Sequence, residues 1–518
     1  MMTQYDDALS PQGTPETFAL RLATCVFVVL VAVGLSAGVA AFAQSRIGLD
    51  RIKAQLVEIG IFIQSDENGI AARGGEQLDD KGLAKAARLL GRLGEVRSLD
   101  LSATQVSNLE PLRRLSPLQS LDLSGTQVVS LKPLRHLRAL RSLDISGTEV
   151  ADLSPLRYLK SLRALDASGT SFNNLEPLRG LTALQSLSVP GTGIVTLAPL
   201  RGLRGLQSLD ISGTAIADMR PIAGLTALRS LNLTATKVVS LEHLRTLTAL
   251  QLLELRQVQV TDIEPLQALT ALRSLNLSQT QVSSLAPLRG LSALKSLDLS
   301  GARVADFEEL GALTALEALN LAGTRIEQLA ELKGLTALSS LDLSGTRTAG
   351  LDQLKGLTAL RTLDLSLTQM VNLESLKWFT ALEALDLAGT RVASLEPLRG
   401  LSSMRSLNLN GTQVDSIEPL QECKALQHLD LGGTRVANLE ALRGLTALES
   451  LDLSQTLVTS VAPLQGLTAL QSLDLTGMEI PSLRPIYNLP ELHLRNPESL
   501  AEDVLAPFVQ YRKERRLP

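Results

Sequence analysis

Hydrophobic and polar positions alternate and then recur along this chain in one fixed order. The stretch SLDLSGTQVVSLKPLRHLRALR, residues 120–141, is followed at Ser142 by nearly the same string. In SLDLS, Leu121 and Leu123 alternate with Ser120, Asp122 and Ser124, which predicts a short strand with leucines inward and polar residues outward. Val128, Leu131, Leu134, Leu137 and Leu140 follow at wider spacing, and Pro133 suits the first turn of a short 3₁₀ or helical segment. The central leucine recurs from Leu99 to Leu473, a span of 374 residues or 17 steps of 22, which makes 18 units in one register. Each unit has about seven inward apolar positions, worth roughly 10–20 kcal/mol gross. Ordering its residues costs at least as much, at about 1–2 kcal/mol per backbone residue. A single unit is therefore not expected to fold alone, and stacking on neighbours supplies the difference.

A period of 22 residues built on L-x-L is the sequence signature of a leucine-rich-repeat solenoid. The predicted fold class is an α/β solenoid, with parallel strands on the concave face and short 3₁₀ or helical turns on the convex face. The pattern L-x-x-L-x-L-x-x-T-x-V-x-x-L-x-P-L-x-x-L resembles the 22-residue repeats of bacterial internalin-like proteins over about 400 residues. That resemblance implies protein binding on the concave strand face. It departs from the family at Thr126 and its counterparts, which fill 15 of the 18 units where the family usually has asparagine. A hydroxyl at that turn can bond nearby backbone groups.

The flanks differ from the array. Residues 78–97 predict a capping helix, with Asp79 and Asp80 as candidate N-caps and Leu83, Ala86, Leu89, Leu90 and Leu93 on one face. Upstream, residues 44–77 read as a linker with two short strands around a turn at Asp66 to Gly69. Residues 98–494 form the repeat region. Residues 495–518 form a C-terminal cap, a short amphipathic segment interrupted at Pro507 and followed by a basic tail. Residues 22–43, LATCVFVVLVAVGLSAGVAAFA, carry no charge over 22 residues, long enough for a membrane span. The tail 1–21 precedes it. The expectation is a single-pass membrane protein of the bacterial envelope. The alternative is secretion after cleavage before Gln44, where Ala41 and Ala43 are spaced like a signal-peptidase site.

Composition narrows the chemistry. A net charge of −4 from 49 basic and 53 acidic residues offers no general attraction for nucleic acid, so no nucleic-acid partner is expected. Two cysteines, Cys25 and Cys423, supply neither a disulfide framework nor a metal site. The four histidines, His136, His243, His428 and His493, are far apart in sequence, and no catalytic or zinc motif is present. The expectation is a protein without enzymatic activity, cofactor or metal. Trp378, the only tryptophan, stands where other units have glycine, and Phe379 where they have leucine.

The outward strand position between the two leucines is Asp or Asn in 16 units, which predicts an acidic face able to meet a basic protein surface. Side by side at about 4.8 Å, such carboxylates repel by about 1 kcal/mol in water and more at lower effective dielectric. The largest departure is LLELRQVQV, residues 252–260, where Leu252, Glu254 and Arg256 replace the usual Ser, Asp and Ser. An exposed leucine beside an arginine suits an interface hot spot. The candidate partner-binding residues are therefore Leu252, Glu254 and Arg256, flanked by Asp210, Asn232, Asn276 and Asp298.

Overall fold

The computed structural model describes residues 49–66, 69–94, 96–348 and 350–515. The chain forms two compact units, divided between Ser171 and Phe172.

In the first unit, residues 49–58 are helical (α1). They precede an antiparallel hairpin of β1 (Ile61–Asp66) and β2 (Gly69–Gly74). Helix α2 (Asp80–Leu93) buries Leu83, Ala86, Ala87, Leu90 and Leu93, while Leu89 is half-buried. Its N-cap is Asp79, whose side chain accepts from the Gly82 amide at 2.7 Å. Asp80 instead ties the helix to the first repeat, accepting from the Ser107 and Asn108 amides at 2.8 Å each. Strand β2 pairs parallel with β3 (Val96–Asp100), and β4 (Ser120–Asp122), β5 (Ser142–Asp144) and β6 (Ala164–Asp166) continue in parallel. The hairpin thus shields the first edge of the repeat sheet, an unpaired strand edge being an aggregation hazard.

The second unit carries the strands from β7 (Ser186–Ser188) to β21 (His493–Arg495), paired in parallel at matching repeat positions. The last strand is an addition to the 18 units: Leu494 pairs with Leu473 after a step of 21 residues rather than 22. Helix α3 (Glu502–Arg515) follows. It runs through Pro507, where an interruption was expected. A proline at the sixth helical position loses one backbone bond and crowds the carbonyl four residues back, and the buried Phe508 and Arg512 anchor the helix against that cost. Arg512 donates to the Leu489 carbonyl at 2.7 Å, and Phe508 meets Tyr487 edge-on at 5.8 Å.

Within both units every repeat is built alike. The leucines at 0–2% exposure form the core, and 3₁₀ turns such as Lys132–His136 carry the chain back. The recurring threonine closes its own coil: Thr126 Oγ1 donates to the Leu123 carbonyl at 2.6 Å, and Thr280 to Leu277 in the same way. The hydroxyl reaches the carbonyl three residues before it, within its own coil, and Thr456 also reaches the Met478 sulfur of the next coil at 3.8 Å. Between coils the backbone does the work, as where the Gly125 amide donates to the Ser146 carbonyl at 2.8 Å. That turn needs a left-handed residue, and Gly125 supplies it with φ of 64°. Leu367 adopts 57° at the equivalent place and is 70% exposed.

The expected single-pass membrane localisation is not upheld. No helix among the described residues is long and apolar enough to cross a membrane. Residues 22–43, with the cleavage point before Gln44, lie outside the described residues.

Candidate functional site

The outward row of acids has a local cause. In the first unit, Oδ1 of Asp100, Asp122, Asp144 and Asp166 accepts the amide of the residue two positions on, at 2.8–2.9 Å. This Asx turn ends the strand and starts the left-handed bend. Asparagine performs it equally well, as Asn232 and Asn276 do for the Thr234 and Ser278 amides at 3.0 and 2.9 Å. One carboxylate oxygen of each aspartate is therefore committed to the fold.

The remaining oxygens decide the electrostatics. In the second unit the amide residues sit between acids, and Asn232 and Asn408 donate to the preceding one. Asn232 Nδ2 reaches Asp210 Oδ2 at 3.1 Å, and Asn408 Nδ2 reaches Asp386 Oδ2 at 2.8 Å. In the first unit four aspartates follow one another without an amide, and Arg73 supports only the first, at 3.3 Å from Asp100. Burial first, with the charges of adjoining aspartates adding to it, pushes the carboxyls of Asp122 and Asp144 above the usual range, against the bonds of the Asx turn. Burial does the same for Asp364 and Asp430 in the second unit, where aspartates again stand side by side.

The structure brings the sequence-chosen residues together on one strand face. Leu252 pairs with Ser230 and Ser274, and Glu254 with Asn232 and Asn276, while Asp210 and Asp298 lie one strand further out. Two features differ from expectation. Leu252 is half-buried rather than exposed, because a strand only three residues long sets it against its neighbours. The trough is also less acidic here, since Asn232 and Asn276 separate the three acids. Glu254, one methylene longer than aspartate, bonds Asn276 instead of forming the turn, and burial first and then Asp298 and Asp210 raise its pKa. Arg256 is exposed, and so are Arg229 and Arg273 on either side of Leu252.

The patch extends beyond the residues the repeat pattern singled out. Gln257 and Gln279 occupy left-handed positions, with φ of 61° and 56°, where most units have glycine. Both are exposed, and Gln257 Nε2 donates to Gln279 Oε1 at 2.6 Å. The signal was present in the register as three consecutive losses of glycine, at Ala235, Gln257 and Gln279. Elsewhere, Phe379 is buried and Trp378 is 52% exposed with Lys377 over its ring. Cys423 is buried. Among the described residues no group of His, Cys, Asp or Glu is arranged to hold a metal ion.

Comparison with known proteins agrees with this architecture. Residues 139–281 match the family described as Leucine-rich repeat region. Residues 349–456 match the Endo-beta-N-acetylglucosaminidase EndoS LRR domain. No curated protein matches the chain in sequence. Among solved structures, an LRR protein of Leptospira interrogans is 22% identical, with 81% of this chain and 100% of that chain covered and a TM-score of 0.59. The functional domain of InlJ from Listeria monocytogenes is 21% identical over 65% of this chain and 72% of that chain, with a TM-score of 0.54. A plant peptide hormone receptor, RGFR1 in complex with RGF2, is 16% identical over 83% and 93%, with a TM-score of 0.52. The chain has the leucine-rich-repeat fold and is similar in fold to the internalins.

Proposed function

We propose that the chain is a non-enzymatic recognition protein that binds another protein on its strand face, centred on Leu252, Glu254 and Arg256. The observation that carries this reading is the break in an otherwise uniform row. At one place the face gains a half-buried leucine, a glutamate freed from the turn, an exposed arginine and the Gln257–Gln279 pair. A row of aspartates serves the fold, whereas this set serves no turn that its neighbours do not make with Ser, Asp and Gly. The RGFR1 neighbour, solved in complex with RGF2, supports the reading by showing the same fold engaged with a ligand. Asp210, Asn232, Asn276 and Asp298 flank the centre, and their two charges favour a partner with a basic rim.

The test compares wild type with Leu252→Ser/Arg256→Ser as immobilised bait, followed by titration of the retained protein. The double variant is expected to weaken binding by at least about 1 kcal/mol, as for a hot spot, with its circular dichroism unchanged. Affinity is also expected to fall as salt rises. A partner indifferent to both changes, or no saturable partner at all, defeats the proposal; the second result favours a spacer without a ligand.

A further inference from the structure

The turn-bearing side of the first unit concentrates positive charge that the whole-chain balance conceals. Arg88 of α2 meets Arg113, Arg114 and His136 around a cleft of about 830 Å³. A second cleft of about 370 Å³ is lined by Arg138, Arg157, Tyr158 and Lys160. Only Glu110 brings an acid to either lining, and it holds Arg113 at 3.2 Å. Asp152 lies near Lys132 and Arg157, with its carboxyl held down chiefly by Ser154.

This charge is not a by-product of the repeat. In four coils of the second unit a glutamate opens the 3₁₀ turn and pairs with the arginine three residues on, as in Glu176–Arg179, Glu242–Arg245, Glu396–Arg399 and Glu440–Arg443, and Glu110–Arg113 does so in the first. In the first unit Lys132 and Ser154 stand where those glutamates would be. Arg135 turns its Nε to His136 at 2.9 Å and Arg157 its Nε to the Ser154 carbonyl at 3.1 Å. Among the described residues Arg114, Arg135, Arg138 and Arg157 have no carboxylate within salt-bridge distance. Tyr158 is 46% exposed beside them, with the Arg157 guanidinium 5.3 Å from its ring centre.

We propose that this face binds single-stranded nucleic acid, with phosphates along Arg114, Arg135, Arg138 and Arg157 and a base stacked on Tyr158. Cations recur coil by coil, and adjacent coils have strands about 4.8 Å apart, close enough to follow the dense charges of one strand. Clefts suit a linear polymer better than a flat membrane, and an exposed aromatic among arginines suits bases. The expectation of no nucleic-acid partner rests on the net charge of −4. That sum averages the acidic strand row with this basic face.

Fluorescence anisotropy of the full chain with a labelled oligothymidylate tests the proposal, with inorganic polyphosphate as competitor. Saturable binding is expected at about 50 mM salt, with a log–log salt slope near −3 for about four phosphates. Arg135→Glu/Arg138→Glu/Arg157→Glu is expected to lower affinity more than about tenfold, and Arg135→Gln/Arg157→Gln to lower it less, with circular dichroism unchanged. Tyr158→Ala is expected to cost about tenfold for the oligonucleotide and nothing for polyphosphate. No saturable binding, or binding that ignores the charge reversals, overturns the site. Equal affinity for polyphosphate with a silent Tyr158→Ala overturns nucleic acid as its occupant.

Discussion

The two units make the same coil, but the line of outward carboxylates in the first and the stretch from Asp210 to Asp342 in the second treat their charges differently. In the first, Asp100, Asp122, Asp144 and Asp166 stand in an unbroken line. In the second, from Asp210 to Asp342, acid and amide alternate strictly through Asn232, Glu254, Asn276, Asp298 and Asn320. Both residue types make the same bond to the next-but-one amide, so the turn does not distinguish them. What distinguishes them is the second polar atom: an amide nitrogen donates to the carboxylate beside it, whereas a carboxylate oxygen repels it. In the alternating stretch the Asn232 amide supports Asp210, whereas in the unbroken line Asp122 bears the charges of Asp144 and Asp100, and Asp144 that of Asp166.

If the units differ only on this row, their cores should respond alike. Leu143→Ala in the first and Leu275→Ala in the second, each 1% exposed, are expected to cost about 2–5 kcal/mol in urea unfolding. A disparity beyond about 1 kcal/mol would move the distinction from the row into the core packing.

The row itself should be exchangeable in both directions with smaller effects. Asn232→Asp/Asn276→Asp makes five consecutive acids and deletes the donor to Asp210. It is expected to destabilise by about 2 kcal/mol at low salt, well below the roughly 3.5 kcal/mol per contact of an effective dielectric of 20 because the groups remain partly solvated. Asp122→Asn/Asp144→Asn removes the two middle charges of the line in the first unit and is expected to stabilise by about 1 kcal/mol. Both effects should shrink as salt rises, and a gain indifferent to salt would rule out charge as its source.

The smallest effect is the pH dependence of that gain. The carboxyls of Asp122 and Asp144 titrate above the unfolded value of 3.8. The folded state therefore binds their protons more readily, and their penalty is present at neutral pH and relieved as pH falls through the folded pKa. The advantage of Asp122→Asn/Asp144→Asn should thus fade towards about pH 4. Asp80 runs the other way: burial opposes its charge, but the Asn108 and Ser107 bonds win and hold it below 3.8. Its contribution is lost only as pH falls below that value, and both proteins share it.

Much of this was legible in the sequence because a repeat states its pattern many times. The leucine register located every strand from β3 to the one centred on Leu473, and the Asp79–Asp80 pair stood at the start of α2. The departures at Leu252, Glu254 and Arg256 showed against the uniform background. The strand around Leu494 did not, because one missing residue breaks the count without breaking the pairing. Helix α3 was read as interrupted because a proline signals locally, whereas Phe508 and Arg512 hold the helix through contacts outside its own sequence.

The sequence by itself determined the coil: alternating leucines, a left-handed turn residue and a hydroxyl three positions after a carbonyl are all local demands, met within about 22 residues. Tertiary structure decided everything that depends on the neighbouring coil. It set Leu252 half-buried rather than exposed, gave Asn232 and Asn408 carboxylates to donate to, and gathered Arg88, Arg114, Arg135, Arg138 and Arg157 on one side. Residues 22 apart become neighbours only when the coils stack, and a net charge, being a sum, carries no record of which face holds which sign.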